Sequence, residues 1–284
     1  MELAISDREF ELLRDFIHAE YGVFLGKEKV YLVENRLVHL VRQTGSRSYG
    51  EFYLKLKQTL PEDGIRKQTI DAITTHETSW FRDRHPFVIL EQKLLPELFA
   101  ELQNKQRGPL KIWSAACSTG QEPYSIALTA ADFFHKRQCP QGCAKQVAVL
   151  ATDVSTASLA TAQDGRYDQK NVERGIPWTF LNGYFSKREG QWEIAETIKQ
   201  MVTFRPFNLK DPLNGLGGPF DIIFLRNVLI YFSDNFKKDL FARIVRVLRP
   251  GGWLLLGTGE TTSAYTDAFD IVDHQGTLYY RLKR

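Results

Sequence analysis

Several things are scarce in this chain, and each scarcity excludes something. Only three cysteines occur in 284 residues. That is too few for a disulfide framework, so a reducing cytoplasm is the expected home. No apolar run approaches the roughly 20 residues that span a bilayer, so direct membrane insertion is not expected. The first residues, Met1-Glu2-Leu3-Ala4-Ile5-Ser6, lack the basic flank and apolar centre of a signal peptide. Charge of one sign is missing too: 37 Lys and Arg face 34 Asp and Glu, a net charge of +3. Such a mild balance gives no argument for nucleic acid, and any basic patch must be local. Repeats and low-complexity tracts are absent. So are a G-x-G-x-x-G run and a Walker lysine loop, which disfavours a pyrophosphate-cradling dinucleotide site.

What remains is ordinary globular composition, 43% hydrophobic and 25% charged, in a length that suits about two domains. The first 75 residues read as helical. Ser6-Asp7-Arg8-Glu9 fits a capping box, and Phe10, Leu13 and Ile17 follow at helical spacing. A second helix is expected over Val30 to Gln43, with Val33, Leu37, Leu40 and Val41 on one arc and Arg36, His39 and Arg42 opposite. Phe52 and Leu56 mark a third helix, and Ile65, Ile70 and Ile73 a fourth.

From about residue 110 the pattern becomes strand, helix, strand. Leu110 to Ala116, Val147 to Ala151, Met201 to Phe204, Phe220 to Leu225 and Trp253 to Leu256 read as strands. Arg249-Pro250-Gly251-Gly252 is expected to end the helix before the last of them. Phe269 to Asp273 and Thr277 to Leu282 read as a closing hairpin. The expected fold is α/β: a Rossmann-like parallel sheet with an antiparallel hairpin at its edge, behind an all-α N-terminal domain. Residues 166–200, rich in Gly, Lys, Arg and aromatics, break the alternation and read as a small β insertion projecting from the sheet.

In such sheets ligands bind at the carboxyl ends of the strands. Polar residues stand there: Glu122, Asp153, Asn208 and Arg226-Asn227 follow successive strands. A carboxylate after the second strand can take both hydroxyls of a ribose. Small residues from Ala115 to Gly120, Ala116 among them, let backbone approach a ligand closely. The pattern suits a nucleoside without phosphates. His135, Cys139 and Cys143 could supply three zinc ligands, but a structural site needs a fourth and none is near, so no metal is expected.

Three longer motifs resemble one family. Ile112-Trp113-Ser114-Ala115-Ala116-Cys117-Ser118-Thr119-Gly120-Gln121-Glu122-Pro123-Tyr124-Ser125 is similar to the cofactor motif of the CheR-type chemoreceptor glutamate O-methyltransferases. Thr74-Thr75-His76-Glu77-Thr78-Ser79-Trp80-Phe81-Arg82 resembles that family's linker, and Phe224-Leu225-Arg226-Asn227-Val228-Leu229-Ile230-Tyr231-Phe232 its fourth-strand motif. The resemblance implies a class I methyltransferase sheet over 91–284, a linker over 76–90 and a receptor-docking helical domain over 1–75.

It further implies S-adenosylmethionine as cofactor, S-adenosylhomocysteine as product and a glutamate on a chemoreceptor's cytoplasmic helical domain as acceptor. The enzyme would be cytoplasmic and recruited to membrane receptor arrays. Carried over by position, Glu122 and Asp153 would hold the methionine and ribose portions, and Asn208 and Leu209 would flank the adenine. His76, Thr78, Arg82, Ala116, Arg226 and Asn227 would complete the pocket, with Arg82 and Tyr231 facing the reacting centre. His76 departs from the Asn common in the family. The face of Arg36, His39 and Arg42 is the candidate docking surface. The segment Tyr184 to Trp192 is shorter and poorer in Gly than in members that bind a receptor's tethering peptide, so a tether-independent member is expected. The rival readings are a nucleic-acid methyltransferase, for which an Asn-Pro-Pro-Tyr type motif is missing, a cofactor-binding regulatory or docking protein without turnover, and a methyltransferase acting on another protein substrate.

Overall fold

The computed structural model describes residues 3–60, 63–105, 108–138 and 146–284. The helical N-terminal part comprises α1 (Asp7–Tyr21), α2 (Val30–Gln43), α3 (Tyr49–Gln58) and α4 (Gly64–Ile73). The capping box forms: the Ser6 hydroxyl accepts from the Glu9 amide, and the Glu9 carboxylate accepts from the Ser6 amide at 3.0 Å. Phe10, Leu13, Ile17, Val33, Leu37, Val41, Phe52 and Leu56 close a core of their own.

The next stretch is helical beyond what the sequence pattern revealed. Pro86 sits in the first turn of α5 (His85–Ile89), which runs through a π turn, Leu90–Leu94, into α6 (Leu95–Lys105). Its Phe87, Leu90, Leu94 and Leu98 are buried against the sheet. Then come β1 (Leu110–Ala115), α7 (Gln121–Lys136), β2 (Val147–Asp153) and α8 (Thr156–Asp164), the last capped by Ser155 and stopped by Gly165.

The insertion follows, with β3 (Arg166–Tyr167), α9 (Gln169–Glu173), α10 (Trp178–Tyr184), β4 (Phe185–Arg188), β5 (Gln191–Ile194) and α11 (Glu196–Lys199). The chain returns through β6 (Val202–Pro206), β7 (Phe220–Leu225), α12 (Asp234–Val247), β8 (Leu248–Leu256), β9 (Phe269–His274) and β10 (Thr277–Leu282).

The large sheet has the order β6-β2-β1-β7-β8-β10-β9, parallel up to β8, with β10 antiparallel to both neighbours. This is a Rossmann-like sheet with an antiparallel hairpin edge, as expected. Alternation along the strands feeds two cores. Ile112, Ile222 and Leu255 face one side with α7, while Trp113, Ile223 and Leu254 face the other with Leu240, Phe241 and Ile244 of α12.

Two expectations need correction. Arg249-Pro250-Gly251-Gly252 does not merely end a helix; α12 stops at Val247, and these residues already belong to β8, with a register irregularity against β7 between Phe220 and Ile222. A bulge absorbs the proline and glycines that read as a turn. The insertion forms a three-stranded sheet, β3-β5-β4, but it does not simply project. Trp80 packs edge-on against Tyr167 and Phe185, at centroid distances of 4.9 and 5.4 Å, and Phe81 stacks on Phe180 at 5.0 Å. The insertion is therefore a wall that holds the linker.

Candidate functional site

The helical part is clasped to the sheet beside the carboxyl ends of the strands. Val23 makes an antiparallel bridge with Phe232, and the Phe24 amide donates to the Tyr231 carbonyl at 2.8 Å. At the end of α1, Asn208 donates through its side-chain amide to the Glu20 carbonyl at 2.8 Å, and the Lys210 ammonium donates to the Ala19 carbonyl. The clasp encloses a cavity of about 480 Å³.

The sequence-derived residues His76, Thr78, Arg82, Ala116, Glu122, Asp153, Asn208, Leu209, Arg226, Asn227 and Tyr231 all line this one cavity. Arg36, His39 and Arg42 do not. They lie along α2, where His39 and Arg42 are exposed. Arg36 is turned inward instead: its guanidinium donates to the Ile73 and Thr74 carbonyls at 2.6 and 3.1 Å and to the Thr75 hydroxyl at 3.3 Å. It satisfies carbonyls left open at the end of α4 and fixes the start of the linker, so it is not the solvated member of a basic face.

The floor of the cavity is built around two carboxylates. Asp153, at the end of β2, is 7% exposed. Its Oδ2 accepts from the Ser118 amide at 2.7 Å and its Oδ1 from the Ser155 amide at 2.9 Å. Burial pushes its carboxyl above the ordinary value, and these two amide bonds and the nearby His76 ring offset only part of that. Glu122, in the first turn of α7, accepts from the Ser114 hydroxyl and from Arg226 Nη1, both at 2.8 Å. Gly120, at φ +93°, lets this loop lie against α8, where a Cβ would stand 2.8 Å from that of Ala162. Ala116 and Ser118 are also left-handed, at φ +61° and +51°, so the loop's tight path is held by its partners.

Arg226 is the hub between floor and linker. Its side chain is 1% exposed. Besides Glu122 it donates through Nη2 to the Arg82 carbonyl and the Asp83 carboxylate, each at 2.8 Å. It thus fixes the backbone that carries Arg82, where Phe81, Asp83 and Arg84 all have positive φ. The Arg82 guanidinium donates to the Glu77 carbonyl at 2.9 Å. The Tyr231 hydroxyl makes no hydrogen bond to any described residue. Phe24 and Ile230, 57% and 67% exposed, form the apolar rim beside it.

His76 joins the domains rather than lying loose in the linker. Nε2 lies 3.0 Å from the Asp71 carbonyl and 3.1 Å from the Thr74 hydroxyl, and Nδ1 lies 3.1 Å from the Ser158 hydroxyl. A carbonyl partner requires a hydrogen on Nε2, so this nitrogen is a donor. Cys117 is 1% exposed, and burial pushes its thiol well up, which suits a small packing residue and not a nucleophile. Among the described residues no cluster of three or more metal-ligating side chains occurs. Cys139 and Cys143, two of the three considered for zinc, lie outside the described residues.

Several residues of the site carried no sequence signal. Tyr21, Phe24 and Leu25 line the cavity from the helical part, which nothing in a helical periodicity announces. Glu260 had a signal of the same kind as Asp153, a carboxylate just past a parallel strand, but its side chain turns to backbone amides.

Comparison with known proteins agrees with this geometry. Residues 76–277 match the family model described as CheR methyltransferase, SAM binding domain, and residues 8–74 match the CheR methyltransferase all-alpha domain. The chain is 42% identical to chemotaxis protein methyltransferase 1 of Pseudomonas aeruginosa, over 99% of this chain and 100% of that one. It is 40% identical to chemotaxis protein methyltransferase Cher2 of Pseudomonas putida, with the same coverage. It is 33% identical to the Escherichia coli chemotaxis protein methyltransferase, over 99% and 93% of the two chains. The two matched models, the full-length relatives and a strand-end cavity framed by buried carboxylates lead to one conclusion: the chain belongs to the CheR methyltransferase family and is an S-adenosylmethionine-dependent methyltransferase.

Proposed function

We propose that this enzyme methylates glutamate side chains on the cytoplasmic helical domain of chemoreceptors, leaving glutamate methyl esters and S-adenosylhomocysteine. The observation that carries the reading is which donors line the cavity. An arginine from the linker and a tyrosine with an uncommitted hydroxyl line the same cavity as Glu122 and Asp153. Both groups donate hydrogen bonds, which is what a carboxylate acceptor needs.

The residues fit the cofactor. The cavity of about 480 Å³ falls in the range of small-molecule sites. Asp153 would offer an immobilised carboxylate to a ribose diol, Glu122 would pair with the ammonium of the methionine portion, and Leu209 would offer an apolar surface to the adenine. Asn208 stands beside Leu209, and one of its two amide hydrogens already serves the Glu20 carbonyl. Its contribution there is to hold the helical domain over the base. Bound at this floor, S-adenosylmethionine supplies an electrophilic methyl group on a sulfonium.

The acceptor carboxylate is already ionised at neutral pH, so the enzyme has no proton to remove. Its task is to hold a carboxylate oxygen in line with the methyl. Arg82 orients the carboxylate through its planar fork, and Tyr231 fixes one oxygen by a hydrogen bond. Both are positioners, not acid and base. The reaction asks for no metal. Esterification removes a charge from a receptor helix and shifts its packing balance, which is the expected adaptation signal.

No helix among the described residues is long and apolar enough to cross a membrane. We place the enzyme in the cytoplasm, brought to receptor arrays by its substrate. His39 and Arg42 remain as the exposed residues of the docking face. The reading is tested by tritiated-methyl transfer to purified receptor cytoplasmic domains. Label that alkali releases as methanol supports it, and alkali-stable label rejects it.

A further inference from the structure

Glu260 does not line the cavity, yet it binds the loop that does. Its Oε2 accepts from the Asn227 amide at 2.8 Å and the Gly257 amide at 2.7 Å, and its Oε1 accepts from the Leu229 amide at 2.8 Å. Two of these amides belong to the turn between β7 and α12, which carries Asn227 and, two residues beyond Leu229, Tyr231. The third belongs to Glu260's own turn, closed by the Glu260 amide on the Gly257 carbonyl at 3.0 Å. One carboxylate therefore ties the ends of two adjacent parallel strands together.

The tie works against local backbone preference. Asn227 is left-handed, at φ +57°, a conformation uncommon outside glycine though tolerated best by asparagine and aspartate. The approach is also tight. A Cβ on Gly257 would lie 2.7 Å from both the amide nitrogen and the side-chain nitrogen of Asn227. Bonds from backbone amides to an ionised carboxylate are the strong, directional kind suited to such a hold.

We propose that Glu260 is a positioning residue for methyl transfer. It acts through the Asn227–Tyr231 turn and sets where the Tyr231 hydroxyl stands over the reacting centre. The inference rests on Tyr231 being an acceptor-side donor. Glu260→Gln keeps the shape but turns one hydrogen-bond acceptor into a donor facing an amide N–H.

The experiment is a double-mutant cycle of E260Q and Y231F, assayed as methyl transfer to a receptor cytoplasmic domain. Melting temperature and calorimetric S-adenosylhomocysteine affinity are measured on each variant. E260Q is expected to lower kcat roughly tenfold, as small misplacements near reacting atoms do. Melting temperature should fall modestly, because one amide loses its acceptor, product affinity and receptor KM should change much less than kcat, and E260Q should add little to the kcat loss in the Y231F background. Should E260Q fail to fold, E260D, which keeps the charge but shortens the reach, is read the same way.

A parental kcat in E260Q alongside a slow Y231F overturns the role of Glu260 alone. So do full additivity and a kcat loss matched by lost stability and product affinity. A Y231F that turns over normally overturns the role of Tyr231 and this inference with it.

Discussion

The two ends of the cavity are built on different principles. At the floor, both carboxylates and both terminal nitrogens of Arg226 already have partners inside the protein, and only the Arg226 Nε is buried without one among the described residues. Asp153 is fixed by two amides, Glu122 by a serine and an arginine, and Arg226 by two carboxylates and a carbonyl. At the rim, Tyr231 is uncommitted, Arg82 holds one carbonyl, and Phe24 and Ile230 are exposed. A floor finished before the ligand arrives suits a cofactor of constant shape. A rim with spare donors and apolar surface suits an acceptor presented on another protein. The comparison teaches that binding and transfer should separate by mutation.

The largest expected effect breaks both ends together. Arg226→Ala leaves Glu122 and Asp83 facing a buried gap and should cost about 3–5 kcal/mol of stability, measured by denaturant unfolding, with transfer abolished. Arg226→Lys should recover little, because a single ammonium cannot span those partners. Next, Arg82→Ala should affect the rim alone, lowering kcat roughly a hundredfold while calorimetric product affinity changes much less. Near-parental turnover would end its role in orienting the acceptor.

Asp153→Ala should do the reverse. It removes charge-assisted bonds worth about 1.5–3 kcal/mol, so cofactor affinity should fall by roughly ten- to a hundredfold, and unchanged affinity would remove Asp153 from the ribose site. The pH dependence sharpens this. Burial raises the Asp153 carboxyl, and its ionised form is the one expected to hold the diol. Affinity should therefore weaken as pH falls through that raised value, before a free aspartate would titrate, and the variant should lose this dependence. The sign for folding is opposite. A raised value favours the folded protein at low pH, and that contribution is lost as pH rises through it.

The smallest effect concerns docking. Reversing His39 and Arg42 to Glu should weaken receptor methylation several-fold at low salt and less at high salt, through screened surface charge, with cofactor affinity intact. Arg36 must be left alone in that test. Its reversal would break the end of α4 and the linker, and confound docking with folding.

The parts of this picture legible in the sequence were those governed by short-range rules. The Ser6–Glu9 capping box, the Ser155 cap and Gly165 stop of α8, and the strand-end residues Asp153, Glu122 and Arg226 follow from local spacing and from where ligands sit in such sheets. What sequence could not convey was the spending of side chains across long separations. Arg36 reads as surface until its partners 37 and 38 residues away are known. Asn208 reads as a ligand residue only, until Glu20, 188 residues earlier, is seen to take one of its two amide hydrogens. The Arg249–Gly252 run reads as a stop because proline and two glycines are turn formers, and only pairing with β7 turns it into an irregular strand start.

The central claim is that the rim serves a glutamate carboxylate. Its most direct test is transfer of tritiated methyl from S-adenosylmethionine to a purified receptor cytoplasmic domain, followed by alkali. The expected result is label on glutamate that alkali releases quantitatively as volatile methanol and that accumulates far more slowly with Arg82→Ala. Label that survives alkali, or none on any receptor domain despite tight cofactor binding, would contradict the account.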